Sequence, residues 1–148
     1  MNIGMLADTY KPYISGVTNH ISLNKRALEA LGHRVFVFTL GGEDYVDEES
    51  CVIRSPAIAL AETGFNVSFR YTRSAQRKLS TMDVVHVHHP FVSGRMALRY
   101  CRNNGIPIVF TNRTSERIAS RNSFSKIFRS SKMGAVICFR FIISSRMR

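Results

Sequence analysis

The sequence predicts an α/β protein with a Rossmann-like, doubly wound parallel sheet. Short apolar runs typical of buried strands occupy residues 3–7, 35–40, 83–88 and 106–111. Stretches with helical spacing separate these runs, an order that favours parallel strands joined by right-handed crossovers. Apolar residues make up 45% of the 148 residues, which is enough for a buried core.

The first strand, the helix after it and the second strand form the clearest unit of this pattern. A loop over residues 8–16 follows the first strand and contains the turn-forming pair Ser15-Gly16. A helix is predicted over residues 17–31, and Gly32 provides a natural end for it. The apolar residues of this helix fall near one face: Val17, Ile21, Leu28 and Leu31.

The middle of the chain continues the pattern less regularly. Residues 43–49 include five acids and predict an exposed loop, and residues 56–66 predict irregular structure. A short strand is predicted over residues 51–54, a basic helix over 71–79 and a further helix over 93–104. Strands and helices therefore alternate as far as the last predicted strand.

The pattern breaks after Asn112. Residues 113–148 contain eight serines, nine Lys/Arg and one acid, whereas residues 1–112 contain twelve Lys/Arg and nine acids. We therefore divide the chain into an incomplete domain over residues 1–112 and a basic Ser/Arg-rich tail over 113–148, in which no further strand is expected. Two interpretations of the tail stay open: a disordered, solvated segment, or the product of a shifted reading frame.

Composition argues against several other classes of protein. The three cysteines are widely spaced and form no CxxC pattern, so neither a disulfide scaffold nor a zinc site is predicted. Reduced thiols in a cytosolic protein are the simplest interpretation. The first residues lack the basic and apolar regions of a signal peptide. The longest apolar stretch, residues 133–143, is short for a membrane span and contains Arg140.

Candidate ligand contacts follow from the predicted topology, because open α/β sheets bind ligands beyond the carboxyl ends of their strands. Gly16 lies there, at the start of the first helix. A glycine at this place lets a phosphate or diphosphate approach, and the helix dipole favours the negative charge. The alternative is a plain turn glycine, since neither a GxGxxG nor a P-loop pattern is present.

Three histidines at the end of the fourth predicted strand, residues 83–88, form a second candidate group. His86 and His88 point to the same face of a strand, but no carboxylate or cysteine stands nearby at a ligand spacing, so no metal is predicted. His88 and His89 come where the strand ends, and an imidazole there can hydrogen-bond sugar hydroxyls or a phosphate. Asp8 and Tyr10, on the first loop, are either site residues or ordinary polar loop residues.

A basic cluster with helical spacing comprises Arg70, Arg73, Arg77 and Lys78. Such a cluster is usually a solvated face, and it can also meet anionic lipid headgroups or an anionic substrate. No recognised nucleic-acid-binding motif accompanies it, so no specific nucleic-acid partner is predicted.

Together these segments resemble one family. Residues 1–39 are similar to the opening of family 4 glycosyltransferases with the GT-B fold, which combines an ADTYxPxxxGV loop, a long helix and a GHxVxVF second strand. The segments DVVHVHHPFVSG and IPIVFTNRT look like later strand–loop segments of the same N-terminal domain. The subgroup that glycosylates lipids such as diacylglycerol is the most similar.

The resemblance implies a Rossmann-like N-terminal half that mainly binds the acceptor, facing a second domain that binds most of the donor. It implies transfer of a hexose from a nucleotide-sugar to a lipid or glycoside, with retention and without a metal or cofactor. By carry-over, Gly16 lies in the loop near the donor diphosphate. Asp8 and Tyr10 line the acceptor side, and His88 and His89 form the cleft floor.

One departure from the family pattern affects catalysis. Arg113 stands where the family usually has a histidine beside the reacting sugar, and the resemblance stops there. We therefore favour a shifted reading frame for the tail and expect a truncated chain that is inactive alone. The expected location is cytoplasmic, with peripheral contact at the inner face of the membrane.

Two rival hypotheses come from other classes. The first is a non-catalytic α/β binding module whose basic tail docks on anionic membrane or nucleic acid. The second is a single-domain enzyme that uses His88 or His89 as a base, but no nucleophile or partner carboxylate is evident.

Overall fold

The computed structural model describes residues 1–42, 44–59, 66–67, 70–112 and 136–140. Within these ranges the main element is a six-stranded sheet in which every neighbouring pair of strands is parallel. Its strands are β1 (Asn2–Leu6), β2 (Arg34–Leu40), β3 (Val52–Ser55), β6 (Val84–Val87), β7 (Ile108–Asn112) and β8 (Val136–Arg140). The short strands β4 (Ile58–Ala59) and β5 (Asn66–Val67) pair with each other in antiparallel fashion. The helices are α1 (Gly16–Ala30), α2 (Arg73–Leu79) and α3 (Val92–Cys101), and a 3-10 turn (Arg102–Asn104) follows α3.

The strand order confirms the predicted fold class. Neighbouring strands follow the order β3-β2-β1-β6-β7-β8, so the chain runs outward in one direction from β1 and in the other direction from β6. This is the order of a doubly wound Rossmann-like sheet, and its switch point lies between β1 and β6. The ends of these two strands therefore define where a ligand is expected.

The central strands are mainly apolar because both faces of the sheet are covered. On one face, Val35 and Val37 of β2 pack with Met5 of β1 and Ile21 of α1. The opposite face forms a larger core with α2 and α3: Leu6, Phe36, Phe38, Leu40, Tyr71, Ala75, Leu79, Met82, Val85, Val87, Met96, Ala97, Cys101, Ile106, Ile108 and Phe110. Alternate residues of one strand thus serve two separate cores, which explains the unbroken apolar run that predicts β2.

Helix α1 begins where turn chemistry predicts. The Ser15 hydroxyl accepts a hydrogen bond from the main-chain N–H of Thr18 at 3.2 Å, and the Thr18 hydroxyl oxygen accepts one from the Ser15 N–H at 2.7 Å. This reciprocal capping box fixes the direction in which the chain enters the helix. The left-handed residue Gly32, with a φ of 83°, follows the helix end, as its position in the sequence predicts.

Three parts of the structure differ from the sequence-based predictions. The acidic segment is not simply exposed, because the side chains of Asp47 and Glu49 are only 16% and 20% accessible. Part of the segment predicted as irregular pairs as β4 and β5. A strand, β8, also lies within the segment where none was expected, and Ile108 of β7 is paired with its Val136. The proposed boundary at residue 112 and the origin of the tail stay predictions, and Arg113 lies outside the described residues.

Candidate functional site

The loops that follow β1 and β6 meet at the switch point of the sheet. The main-chain N–H of His88 donates to the carbonyl of Leu6 at 2.9 Å, extending the strand pairing beyond the ends of β1 and β6. The N–H of Asp8 then donates to Nδ1 of His89 at 3.0 Å. The structure therefore brings Asp8, His88 and His89 together, although 81 residues separate Asp8 from His89.

Asp8 is buried and bonds to the first turn of α3. Its Oδ1 accepts hydrogen bonds from the N–H of Ser93 at 2.6 Å and from the Ser93 hydroxyl at 2.5 Å. Its Oδ2 accepts a longer one from the N–H of Val92 at 3.3 Å. The cap residue of α3, Phe91, makes no side-chain cap of its own, so the Asp8 carboxylate from the loop after β1 fills that role. The predicted acceptor contact of Asp8 is not tested by this geometry and stays a prediction.

Tyr10 is also buried, and it leads to a carboxylate that the sequence did not single out. The Tyr10 hydroxyl donates to Oε2 of Glu49 at 2.6 Å. Glu49 Oε1 accepts from Nζ of Lys11 at 2.6 Å and from the hydroxyl of Ser22 at 2.7 Å. Burial raises the pKa of Glu49, but the hydrogen bonds from Lys11, Tyr10 and Ser22 outweigh it and bring the pKa down to about 2. Burial and the neighbouring Glu49 carboxylate raise the pKa of Tyr10 above its ordinary value.

Arg54 also binds the loop after β1. Its guanidinium makes a bidentate pair with Asp47, with N–O distances of 2.8 and 2.7 Å. Nη2 also donates to the carbonyl of Lys11 at 2.6 Å, and Nη1 donates to the carbonyl of Gly41 at 3.1 Å. Arg54 thereby connects β3 with the loops that follow β1 and β2.

Gly16 occupies the exposed start of α1, at the edge of the sheet where the loop after β1 ends. A Cβ placed on Gly16 would meet no described atom within 4 Å, and the φ of this residue lies outside the left-handed region. Among the described residues, neither backbone conformation nor packing therefore requires a glycine here. The bare backbone leaves room for a ligand to approach the start of the helix.

Three imidazoles cluster on the face of the sheet that α1 covers. The ring centroids of His86 and His88 are 4.0 Å apart, and those of His20 and His88 are 5.6 Å apart. His86 Nε2 lies 2.7 Å from the Thr111 hydroxyl, and His20 Nε2 lies 2.7 Å from Nδ2 of Asn24. Burial, with the nearby His20, lowers the pKa of His86 to about 4, so this ring is neutral at pH 7.

His89 lies beside this cluster, against the loop after β1. Burial lowers the pKa of His89 and the Asp8 carboxylate partly opposes that effect. Since Nδ1 accepts the Asp8 N–H, the neutral ring carries its proton on Nε2. Within the described ranges, no group of three or more His, Cys, Asp or Glu is arranged to hold a metal ion.

Several exposed apolar side chains follow strand ends at this edge of the sheet. Among the described residues, five of the eight large exposed apolar side chains follow the carboxyl ends of strands: Tyr13, Ile14, Val46, Ile58 and Phe91. We call these five residues the apolar rim. Helices α2 and α3 flank the sheet with five basic residues and no acid. No helix of the described part of the chain is long and apolar enough to cross a bilayer.

The comparisons with known proteins agree with the doubly wound Rossmann-like fold. The profile of the family described as Glycosyltransferase Family 4 matches residues 14–142, which extends beyond the predicted boundary at residue 112. The chain is 38% identical over 122 residues to an alpha-monoglucosyldiacylglycerol synthase of Acholeplasma laidlawii, covering 78% of this chain and 30% of that protein. It is 31% identical over 125 residues to the enzyme of the same name from Streptococcus pneumoniae, covering 77% and 27%.

A less similar relative is named for a different activity. The chain is 26% identical over 117 residues to a GDP-mannose-dependent alpha-mannosyltransferase of Corynebacterium glutamicum, covering 74% of this chain and 28% of that protein. The chain thus spans about 30% or less of the length of each of these three relatives.

Proposed function

The chain belongs to Glycosyltransferase Family 4, and we propose that it supplies the acceptor-side domain for transfer of a hexose from a nucleotide-sugar to a lipid or glycoside. The reaction proposed retains the configuration of the sugar and uses neither a metal nor a cofactor. The observation that supports this proposal best is the meeting of the loops after β1 and β6 at the switch point, with Gly16 open beside them.

The donor is proposed to approach Gly16 through its diphosphate. The Gly16 backbone is accessible, and the start of α1 provides the favourable end of a 15-residue helix dipole. His88 and His89 end their strand at the same edge, where His89 contributes a neutral imidazole with its proton on Nε2. That N–H is suited to donate to a sugar hydroxyl or a phosphate oxygen.

A lipid acceptor is favoured over a soluble glycoside. Two of the relatives are named as diacylglycerol-modifying enzymes. The apolar rim supplies side chains that can contact acyl chains, and the basic residues of α2 and α3 can meet anionic headgroups. We therefore propose peripheral contact with an anionic membrane surface.

Catalysis needs donor and acceptor held in line within a water-excluding cleft. The match covers 78% of the chain's 148 residues and only 30% of the length of the Acholeplasma laidlawii relative. We therefore propose that these residues transfer little sugar by themselves and that a donor-binding domain completes the reaction.

A chimera tests the proposal. The matched segment of the Acholeplasma laidlawii relative is replaced by the corresponding segment of this chain, and transfer of labelled glucose to diacylglycerol in vesicles is measured. We expect transfer, and we expect Gly16→Val to reduce it by at least about tenfold because the added side chain blocks the anion. The control Asn19→Ala changes an exposed residue one turn further along α1 and should keep the activity. A folded chimera without activity, or equal activity of the Gly16→Val and Asn19→Ala chimeras, would contradict the proposal.

A further inference from the structure

We propose that Glu49 is a positioning residue that holds the loop after β1 and the start of α1 in one fixed relation. The role of that loop in ligand binding rests on the proposed function above. The contacts of Glu49 that position the loop, in contrast, are present whatever the loop binds.

Glu49 binds the loop after β1 through both of its carboxylate oxygens. Tyr10 donates to one carboxylate oxygen of Glu49 and Lys11 donates to the other, both at 2.6 Å. These are consecutive residues, and their side chains reach a carboxylate 38 and 39 positions further along the chain. Tyr10 and Lys11 bind different oxygens of Glu49. A shift or a rotation of the loop relative to Glu49 would therefore break at least one of these two hydrogen bonds.

Glu49 also binds helix α1. Oε1 of Glu49 also accepts the hydroxyl of Ser22, a buried residue in the middle of α1. One carboxylate therefore joins the loop to the helix that the loop leads into. Gly16 lies between the two attachment points, directly after Ser15, whose hydroxyl accepts the N–H of Thr18 in the first turn of α1.

Two further contacts hold the loop after β1 in place. Arg54 binds the carbonyl of Lys11 through Nη2, and Asp8 is bonded to the first turn of α3. Glu49 adds a direct hydrogen bond to α1, from the hydroxyl of Ser22. Its side chain is 20% accessible and that of Lys11 is 30% accessible, so water competes only partly with their ion pair.

Amide hydrogen exchange of the whole chain tests this inference. Glu49→Gln keeps the size of the side chain, but its amide NH2 cannot accept the bonds of a carboxylate oxygen. We expect the amides of residues 10–16, apart from Pro12, which has no N–H, to exchange at least about tenfold faster, whereas amides of β2 and β6 change much less. Glu48→Gln is the matched control, because it removes the same charge from the adjacent, exposed residue.

Two outcomes would overturn the inference. One is loop exchange no faster in Glu49→Gln than in Glu48→Gln. The other is an equal acceleration in loop and core strands, which would show that Glu49 supports overall stability only. Should Glu49→Gln fail to fold, Tyr10→Phe removes one donor and leaves the carboxylate in place. Its loop amides should then exchange faster while the core amides do not, and unchanged loop exchange would reject the inference.

A second measurement separates this inference from the proposed function. Inorganic pyrophosphate is titrated into wild-type protein, Glu49→Gln and Glu48→Gln, and the amide resonances of residues 15–18 are followed. We expect the apparent dissociation constant to rise at least about fivefold in Glu49→Gln alone, because a misplaced loop loses the pre-formed contact. If wild-type protein shows no shift, the proposed diphosphate contact at Gly16 fails, and the exchange comparison alone decides the positioning role of Glu49. If Glu49→Gln and Glu48→Gln bind pyrophosphate with equal affinity, the positioning role of Glu49 does not affect ligand binding.

Discussion

The Asp8 carboxylate accepts two hydrogen bonds from Ser93, one from the main-chain N–H at 2.6 Å and one from the hydroxyl at 2.5 Å. Eighty-five residues separate the two partners, and the bond joins the loop after β1 to the first turn of α3. The carboxylate therefore connects the elements that follow β1 and β6 at the switch point of the sheet. It also supplies negative charge at the end of α3 where the helix dipole favours it.

Replacing Asp8 should destabilise the protein. Asp8→Ala leaves the buried N–H of Ser93 without its acceptor, and we expect the free energy of unfolding to fall by about 2–4 kcal/mol. Ser93→Ala removes only the hydroxyl bond and should cost about 1 kcal/mol. Urea unfolding of the two variants and wild-type protein measures both values, and an equal loss in the two variants would contradict the capping role.

Two glycines should respond differently to the same substitution. A Cβ at Gly4, within β1, would lie 3.1 Å from Cγ of Met82 and 3.3 Å from Cε2 of Phe38. Gly4→Ala should therefore lower the free energy of unfolding by about 1–3 kcal/mol through overpacking. Gly16→Ala meets open space and should change it by less than about 0.5 kcal/mol. Thermal or urea unfolding checks the pair, and a large loss at Gly16 would mean that the fold itself needs this glycine.

The histidine cluster should make stability depend on pH. The pKa of His86 is about 4 in the folded protein and 6.5 ordinarily, so the unfolded chain binds more protons between these values. Stability is therefore complete above pH 6.5 and is lost as the pH falls toward 4. We expect His86→Gln to reduce the loss between pH 7 and pH 5 by about 1–2 kcal/mol, measured by urea unfolding. His33→Gln, outside the cluster, should keep the wild-type dependence, and a wild-type slope in His86→Gln would refute the assignment.

Membrane contact should depend on the apolar rim and on charge. The double variant Ile14→Ser/Phe91→Ser should bind vesicles containing anionic lipid at least about tenfold more weakly than wild-type protein, because two exposed apolar side chains are lost. Binding should also weaken at high salt, since screening reduces the attraction of the basic helices. The matched control is Leu23→Ser, an exposed apolar residue on α1 outside the rim. Equal binding of the two variants in a sedimentation assay would exclude the rim as the contact surface.

The sequence predicts the parts of this molecule that depend on local patterns. The β2 strand is recognisable because both of its faces are buried, which makes the run from Val35 to Leu40 almost entirely apolar. The entry to α1 is recognisable because Ser15 and Gly16 belong to a short-range turn and cap. The position of His88 and His89 at a strand end follows from the same kind of pattern.

Long-range partners explain what the sequence did not predict. Glu49 stands in a run of acids, so its composition indicates exposure, and only the fold brings Tyr10, Lys11 and Ser22 to it. Asp8 likewise gives no local sign that Ser93 is its partner. Strand β8 lies in a basic, serine-rich segment, and its pairing with β7 is a tertiary contact that composition does not encode.

The position of Met1 has a practical consequence. The Met1 carbonyl accepts the N–H of Arg34 at 2.9 Å, at the amino ends of β1 and β2, and the side chain is exposed. Since the strands are parallel, this edge is opposite the one that carries Gly16, His89 and the apolar rim. A linker or sensor surface joined to the amino terminus would therefore leave the candidate site turned toward solution, and immobilised protein remains usable for binding measurements.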